Sequence, residues 1–239
     1  MRIIVGIPAR YASSRFPGKP LALLQGKPML HHVIDRALES DVGPVLVATD
    51  DESIFELAQT WGATAVLSQR EHASGTERLA EAVEDMDCDI VVNVQGDEPL
   101  IDPEAIRAVL EPFKDDPCLP MATLAHPIRD DLYLHDPNVV KVVCNAASHA
   151  MYFSRSPVPY LRTKTCTPLQ HVGLYAYRRR FLLHYPALEP CAAEQAENLE
   201  QLRVLHHGYT IAVTIGNYEF HGVDTPEDLE RAEALLREQ

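Results

Sequence analysis

The chain has 239 residues, of which 46% are hydrophobic, an ordinary proportion for a globular protein with a sizeable core. Its 21 lysines and arginines are outnumbered by 35 aspartates and glutamates, which gives a formal net charge of −14. So negative a protein repels nucleic-acid backbones and anionic membrane surfaces, and we expect neither as a partner. An anionic small molecule can still bind where a cationic loop or a divalent cation reverses the local field.

The five cysteines are scattered without any metal-binding spacing, which favours free thiols in a reducing compartment. The chain begins directly with an apolar strand rather than a signal peptide, and no apolar run approaches membrane-spanning length. We therefore expect a cytoplasmic protein.

The first predicted strand is the apolar run from Ile3 to Ile7, and a cationic loop follows it after Pro8. The notable residues of the loop are Arg10, Ser13, Ser14, Arg15, Gly18 and Lys19. Cations and a glycine at the carboxyl end of a strand favour a polyphosphate ligand, although a solvated surface loop is the plain alternative. The loop has neither the Walker pattern nor GxGxxG, which argues against P-loop kinases and nicotinamide dehydrogenases.

Strands and helices alternate through the first half of the chain. We predict strands at 44–48, 63–67 and 89–94, and helices at 28–40, 51–61, 74–83 and from 103 through 110. This alternation predicts an α/β fold with a mostly parallel, open, Rossmann-like sheet that is covered on both faces.

The second half is richer in strands. We predict strands at 121–125, 139–144, 150–154, 172–177 and 210–215, and helices at 197–207 and from Pro226 onward, with Thr225 as its N-cap. No linker is evident, so we expect one domain over residues 1–239. The strand-rich part, residues 121–180, has too few helices to cover its strands, which predicts added strands or an arm that pairs with a second copy in a homodimer.

Two aspartates are candidate metal ligands. Asp97 lies in Gln95-Gly96-Asp97-Glu98-Pro99, directly after a predicted strand, and Asp224 directly precedes the last helix. Each aspartate also has a purely structural explanation. The residues around Asp97 are turn formers, and a negative charge at Asp224 would stabilise the start of the last helix. Together with the cationic loop, they favour a Mg²⁺ site beside a polyphosphate.

The chain resembles the acidic-sugar cytidylyltransferases, and its motifs as a set resemble the 3-deoxy-manno-octulosonate (Kdo) branch of that family. The motifs are IPARYASSRFPGKPL, HASGTERLAEA, VVNVQGDEPLI, YFSRSPVPY, HVGLYAYRR, LEQLRVL and GVDTPEDLERA. They occur in order over essentially the whole chain. The resemblance implies a nucleotide-diphospho-sugar transferase type of fold.

The resemblance also implies a reaction for lipopolysaccharide synthesis, in which the sugar's anomeric hydroxyl attacks the α-phosphorus of CTP and pyrophosphate leaves. Catalysis is then mainly positioning and electrostatic stabilisation. The implied catalytic residues are Arg10, Lys19, Asp97 and Asp224, with Mg²⁺ held by the two aspartates. The implied nucleotide-binding residues are Ala9, Arg10, Ser13, Arg15, Lys19, Ser74, Gly75 and Arg78. The implied sugar-binding residues, some of them in the strand-rich part, are Gln95, Arg155, His171, Tyr175, Glu200 and Gln201.

The identity of the acceptor sugar stays open. Residues 159–170 look shorter than in many relatives, and Tyr160 replaces a frequent tryptophan, which keeps a variant such as 8-amino-Kdo or a sialic-acid-like sugar as an alternative. Another nucleotidyltransferase, a non-catalytic nucleotide sensor and a GT-A glycosyltransferase are further alternatives. The sensor would lack the metal carboxylates or the Lys19 loop, and the glycosyltransferase would show Asp-x-Asp, whereas Gln95 and Pro99 flank Asp97 at that spacing.

Overall fold

The computed structural model describes residues 1–12, 16–163, 165–218 and 220–237. Its strands are β1 (Ile3–Ala9), β2 (Leu23–Leu24), β3 (Lys27–Pro28), β4 (Val45–Thr49), β5 (Thr64–Leu67), β6 (Ile90–Asn93), β7 (Met121–Pro127), β8 (Lys141–Cys144), β9 (Ala150–Ser154), β10 (Leu169–Arg178) and β11 (Ile211–Ile215). Its α-helices are α1 (Met29–Glu39), α2 (Glu52–Thr60), α3 (Gly75–Ala82), α4 (Pro103–Ala108), α5 (Pro112–Asp115), α6 (Asp131–His135), α7 (Arg179–His184), α8 (Ala192–Glu197), α9 (Gln201–His206) and α10 (Pro226–Arg237). None of the helices in these ranges is both long and apolar enough to cross a membrane.

The chain divides into two compact units, one formed by Met1–Arg107 with Glu219–Gln239 and the other by Ala108–Tyr218. The first unit contains a parallel sheet with the strand order β6-β1-β4-β5. All five residues of β4 are buried, which is typical of a parallel strand covered on both faces. Because the strands are parallel, their carboxyl ends lie at one edge of this sheet, where the loops after β1, β4, β5 and β6 begin.

The last helix, α10, belongs to the first unit although it is distant in sequence. Its Ala232 packs in an apolar cluster with Leu24, Met29, Leu100 and Val223. Burial of these side chains stabilises the position of α10 and of the segment that leads into it. Because Val223 belongs to this cluster, the cluster fixes the position of the backbone directly before Asp224.

The second unit contains the strands β11-β7-β10-β8-β9. Strand β11 is parallel to β7, whereas β10, β8 and β9 follow as antiparallel neighbours. A register shift between Val172 and Tyr175 interrupts the pairing of β10 with β7. Strands β7 to β10 are those predicted within residues 121–180, and β11 is the strand predicted at 210–215. The role of residues 121–180 in dimerisation and the single domain over residues 1–239 stay predictions.

The mostly parallel α/β fold class is confirmed, and most element boundaries agree to within a few residues. The helix predicted over residues 197–207 is confirmed over a shorter range, because α9 begins at Gln201 and ends at His206. The preceding helix, α8, was not predicted and ends at Glu197, and Asn198 adopts a left-handed conformation with φ +52°. A left-handed residue cannot continue a right-handed helix, so α8 and α9 are separate helices. The short helices α5, α6 and α7 were not predicted.

Candidate active site

Lys19, Asp97 and Asp224 converge on one point in the first unit. The Nζ atom of Lys19 donates to Oδ2 of Asp97 at 2.7 Å and to Oδ1 of Asp224 at 3.2 Å. The lysine side chain is 14% exposed, whereas the two aspartate side chains are 33% and 47% exposed. The loop after β1, the loop after β6 and the segment before α10 thus meet, as the sequence predicted for the two carboxylates and the cationic loop.

Main-chain contacts hold the two carboxylate segments together. The N–H of Val223 donates to the carbonyl of Asp97 at 2.9 Å, and Val223 itself is fully buried in the apolar cluster described above. A Cβ atom at Gly96 would lie 2.9 Å from the carbonyl oxygen of Pro8. Glycine at this position therefore lets the Asp97 turn approach the end of β1 closely.

The start of α10 is capped by Thr225 and Asp228, not by the side chain of Asp224. The hydroxyl of Thr225 accepts from the N–H of Asp228, and the Asp228 carboxylate accepts from the N–H groups of Asp224 and Thr225. This is a reciprocal capping arrangement. It confirms Thr225 as the N-cap and leaves the Asp224 carboxylate directed to Lys19.

Glu98 is a third acidic group at this point, which sequence reasoning noted only as a neighbour of Asp97. Its carboxylate accepts from the main-chain N–H of His221, and its Oε2 atom is buried without a hydrogen-bond partner among the described residues. Burial, and next the charges of Asp97 and Asp224, raise the pKa of Glu98 to about 8. Glu98 is therefore mostly uncharged near pH 7, and among the described residues here Lys19 balances only one of the two charges of Asp97 and Asp224.

The residues present fit a hard divalent cation such as Mg²⁺. The carboxylate oxygens of Asp97 and Asp224 already lie within 3.2 Å of the positively charged Nζ of Lys19. The atoms that would bind a metal ion are all oxygens, which Mg²⁺ prefers. Among the described ranges, no group of three or more His, Cys, Asp and Glu side chains is arranged to hold a metal ion. A cation here would have Asp97 and Asp224 as protein ligands and take its others from substrate oxygens and water, as Mg²⁺ commonly does.

The loop after β1 is partly described. Ala9 is buried at the end of β1, Arg10 is exposed, and Lys19 opens a short 3-10 helix. The N–H of Gly18 donates to the carbonyl of Tyr11 at 3.1 Å, which closes the loop. Ser13 and Arg15, predicted to bind the nucleotide, lie outside the described residues.

The start of α3 lies against the end of β1, at the same edge of the sheet. Ser74 is the N-cap of α3 and accepts from the N–H of Glu77. A Cβ atom at Gly75 would lie 2.9 Å from Cγ of Pro8, so glycine permits this close approach. Ser74 and Gly75 therefore lie where the predicted phosphate loop leaves the sheet.

Arg78 is held by two residues that follow β4 and β5. Its Nη2 donates to Asp50 Oδ2 at 2.7 Å, and its Nη1 donates to Ser68 Oγ at 2.9 Å. The arginine side chain is only 7% exposed. The sequence did not indicate this role for Asp50, because its partner Arg78 lies 28 positions away and no local pattern marks such a pair.

Most of the predicted sugar-binding residues lie in the second unit, where His171, Tyr175 and Glu200 come together. The rings of His171 and Tyr175 are 5.4 Å apart, and the charge of Glu200 contributes to the raised pKa of Tyr175 after the larger effect of burial. Burial lowers the pKa of His171 to about 3. Gln201 is buried, and its Nε2 has no hydrogen-bond partner among the described residues.

Two predicted sugar-binding residues have contacts within the protein. In the first unit, Gln95 donates from Nε2 to Asn93 Oδ1 at 3.1 Å. In the second unit, the guanidinium of Arg155 donates to the carbonyls of Glu197 at 2.6 Å and Pro137 at 2.9 Å. Arg155 therefore ties the end of β9 to the end of α8, and a contact with sugar would come in addition to this structural role.

Comparison with known proteins shows the family to which the chain belongs. The cytidylyltransferase family model matches residues 4–211. The 3-deoxy-manno-octulosonate cytidylyltransferase of Geotalea daltonii is 48% identical over 255 aligned residues, with full coverage of both chains. The Escherichia coli protein of the same name is 45% identical and is covered to 97%, against 100% of this chain.

A solved structure extends the likeness to three dimensions. The structure of CMP:2-keto-3-deoxy-manno-octonic acid synthetase complexed with CTP has a TM-score of 0.95 and 44% identity, covering 100% of this chain and 99% of that one. A glucose-1-phosphate thymidylyltransferase structure from Bacillus anthracis, at 18% identity and a TM-score of 0.69, shares the fold.

The chain belongs to the cytidylyltransferase family and is a nucleotidyltransferase. Within that family it belongs with the 3-deoxy-manno-octulosonate cytidylyltransferases, as the motifs of the sequence predicted.

Proposed function

We propose that this protein transfers CMP from CTP to the anomeric hydroxyl of Kdo, giving CMP-Kdo and pyrophosphate for lipopolysaccharide synthesis. The observation that carries the proposal is the convergence of Lys19, Asp97 and Asp224 in a chain 44% identical to a synthetase complexed with CTP. In the reaction, the anomeric oxygen forms a bond to the α-phosphorus while the bond to the pyrophosphate oxygen breaks. The hydroxyl proton passes to solvent.

The protein's own residues bind and orient the triphosphate in this proposal. Lys19 places a positive charge beside the carboxylates, where phosphate charge develops, and Arg10 is exposed and free to reach a phosphate. Ser74 and Gly75, with Arg78 held by Asp50, are proposed to face the cytidine. Ser13 and Arg15 keep their predicted role in the same loop.

We further propose Mg²⁺ as the cofactor, held by Asp97 and Asp224. When bound there, a divalent cation would neutralise phosphate oxygens and favour ionisation of the attacking hydroxyl. Phosphorus NMR of CTP, Kdo and enzyme tests the reaction directly. The triphosphate signals should convert to those of pyrophosphate and a phosphodiester when Mg²⁺ is added. Conversion at an unchanged rate in excess EDTA would remove the metal from the proposal.

The acceptor is proposed to be Kdo, with 8-amino-Kdo as the second candidate. Tyr160, which replaces a frequent tryptophan, is 87% exposed, so its side chain is free to contact a ligand or solvent. Gln95, Arg155, His171, Tyr175, Glu200 and Gln201 are proposed to bind the sugar. A non-catalytic sensor is disfavoured, because Lys19 and the two aspartates are all present and lie together.

A homodimer is also proposed, with the strand-rich part as its interface. Among the described residues β9 pairs with β8 on one side, and Met151 and Tyr152 on β9 are 62% and 39% exposed. Exposed apolar side chains on a strand edge favour pairing with a second copy. Light scattering should give about twice the chain mass of 26.7 kDa, and Met151→Asp should shift the protein toward the monomer. A monomer mass for the unchanged protein would reject the dimer.

A further inference from the structure

Thr123 on β7 is a buried hydroxyl residue with three polar contacts, all within the second unit. Its Oγ1 lies 2.8 Å from the carbonyl oxygen of Leu174, 3.0 Å from that of Val172 and 3.0 Å from Nε2 of His171. The side chain is fully buried, so water does not compete for these contacts. The shift of register between β10 and β7 brings the two carbonyls to this hydroxyl.

The hydrogen-bonding capacity of Thr123 assigns the proton on His171. A hydroxyl has one proton to donate, and a carbonyl oxygen can only accept. Two of the three neighbours of Oγ1 are carbonyls, so the hydroxyl proton is donated to them and Nε2 of His171 must donate to Oγ1. A neutral imidazole that is protonated at Nε2 has a lone pair at Nδ1.

The surroundings of His171 keep the ring in this orientation and uncharged. Its main-chain N–H donates to the carbonyl of Val140 at 2.8 Å, and Phe153 packs edge-on against the ring at 4.9 Å. Burial lowers the pKa of His171 to about 3, so the ring is neutral near pH 7. Its Nδ1 forms no hydrogen bond with any residue that the structure describes.

We propose that Thr123 is a positioning residue that holds His171 in the Nε2–H tautomer, so that Nδ1 accepts a hydrogen bond from a sugar hydroxyl and does not bind the sugar carboxylate. The inference rests on the proposed function only for the sugar, since the tautomer itself is a property of the ligand-free protein. It deepens that function by assigning a hydroxyl group, rather than the acid group, to His171.

Nitrogen NMR of the ligand-free protein tests the tautomer. The His171 side-chain signals are assigned in protein labelled with ¹⁵N-histidine as those lost in His171→Gln. We expect a protonated Nε2 and an unprotonated Nδ1 near pH 7. Protonation at Nδ1, or rapid exchange between the two tautomers, would overturn the proposal. This result does not depend on whether the protein uses Kdo.

Steady-state kinetics tests the consequence for the sugar. Thr123→Val removes the hydroxyl at nearly constant volume and should raise the KM for Kdo roughly tenfold with kcat within about twofold. Thr123→Ser restores the hydroxyl and should recover a low KM, and Thr214→Val on the neighbouring β11 is the matched control. Equal KM values for Thr123→Val and Thr123→Ser would contradict the proposal.

Two further outcomes are separable. If Thr123→Val does not fold, the comparison of the wild type with Thr123→Ser by NMR decides the tautomer, which should be the same in both. If the wild type forms no CMP-sugar at all while His171 is protonated at Nε2, the proposed function fails and the role of Thr123 in setting the tautomer stands.

Discussion

Lys19 and Asp97, 78 positions apart in the chain, form an ion pair of 2.7 Å in which the lysine is the more buried partner. Both residues follow strands that pair in parallel, β1 and β6, so the sheet itself brings them to one edge. The pair joins the proposed phosphate loop to the proposed metal ligands. Removal of the Lys19 side chain should therefore affect both the phosphate loop and the metal ligands.

Lys19→Ala should lower kcat/KM by roughly 30- to 1000-fold, because a charge that stabilises the developing phosphoryl charge is lost. Lys27→Ala is the matched control: Lys27 pairs with Asp35 on α1 rather than with Asp97 or Asp224, and its loss should leave turnover near that of the wild type. Arg10→Ala should resemble Lys19→Ala in direction. Wild-type kinetics in both Arg10→Ala and Lys19→Ala would show that the loop is only a solvated surface.

Asp224→Asn should abolish most turnover and keep the melting temperature close to that of the wild type, because the amide preserves the volume and removes the charge that a divalent cation needs. Asp228→Ala, four positions further along the chain, should lower the melting temperature and keep most of the turnover. Its carboxylate caps α10, so its loss should cost about 1 kcal/mol of stability with turnover retained. Measuring both quantities on each variant separates a metal ligand from a capping residue. An active but less stable Asp224→Asn would remove that residue from the site.

Asp50→Ala should raise the KM for CTP roughly tenfold, because Arg78 loses the carboxylate that orients it. The adjacent Asp51 provides a control, since its carboxylate accepts from the N–H of Ile54 as the N-cap of α2. Asp51→Ala should lose about 1 kcal/mol of stability and keep the KM for CTP. An unchanged KM in Asp50→Ala would mean that Arg78 does not depend on this partner for nucleotide binding.

The stability of the protein should depend on His171 at acid pH. Its pKa is lowered from 6.5 to about 3 by burial, so between these values the unfolded chain binds more protons than the folded protein. The contribution of neutral His171 to the free energy of unfolding is therefore complete above about pH 6.5 and is lost as the pH falls toward 3. The difference in melting temperature between wild type and His171→Gln should therefore narrow as the pH falls from about 7 to about 4. Exposed His135→Gln is the control, and a difference that stays constant would contradict the assignment.

Sequence patterns predicted the elements whose cause is local. The start of a helix at Ser74 and the helix cap at Thr225 were predicted because capping depends on residues three positions away, and the structure confirms both. The helix predicted over residues 197–207 was placed four residues too early at its start, because the apolar spacing does not show that Asn198 adopts a left-handed conformation. Contacts between residues far apart in the chain were predicted only where motifs indicated them. The motifs indicated that Lys19, Asp97 and Asp224 lie in one site. No local pattern indicated that Asp50 contacts Arg78 or that Thr123 contacts His171.

Glu98 shows why a plain explanation can hide a functional candidate. Gly96 and Pro99 beside it are explained by a turn, and of the two adjacent carboxylates only Asp97 was predicted to bind a metal. Only the folded chain shows that Glu98 accepts from His221, in the segment that carries Asp224, and that one of its oxygens is buried without a partner among the described residues.

The most direct test of the proposed function is pyrophosphate release measured for CTP, UTP, GTP and ATP, each against Kdo, 8-amino-Kdo and a sialic acid, with Mg²⁺ present. We expect CTP with Kdo to give the highest kcat/KM, and omission of the sugar or of Mg²⁺ to abolish pyrophosphate release. Equal release without any sugar, or a clear preference for another nucleotide, would contradict the proposed function.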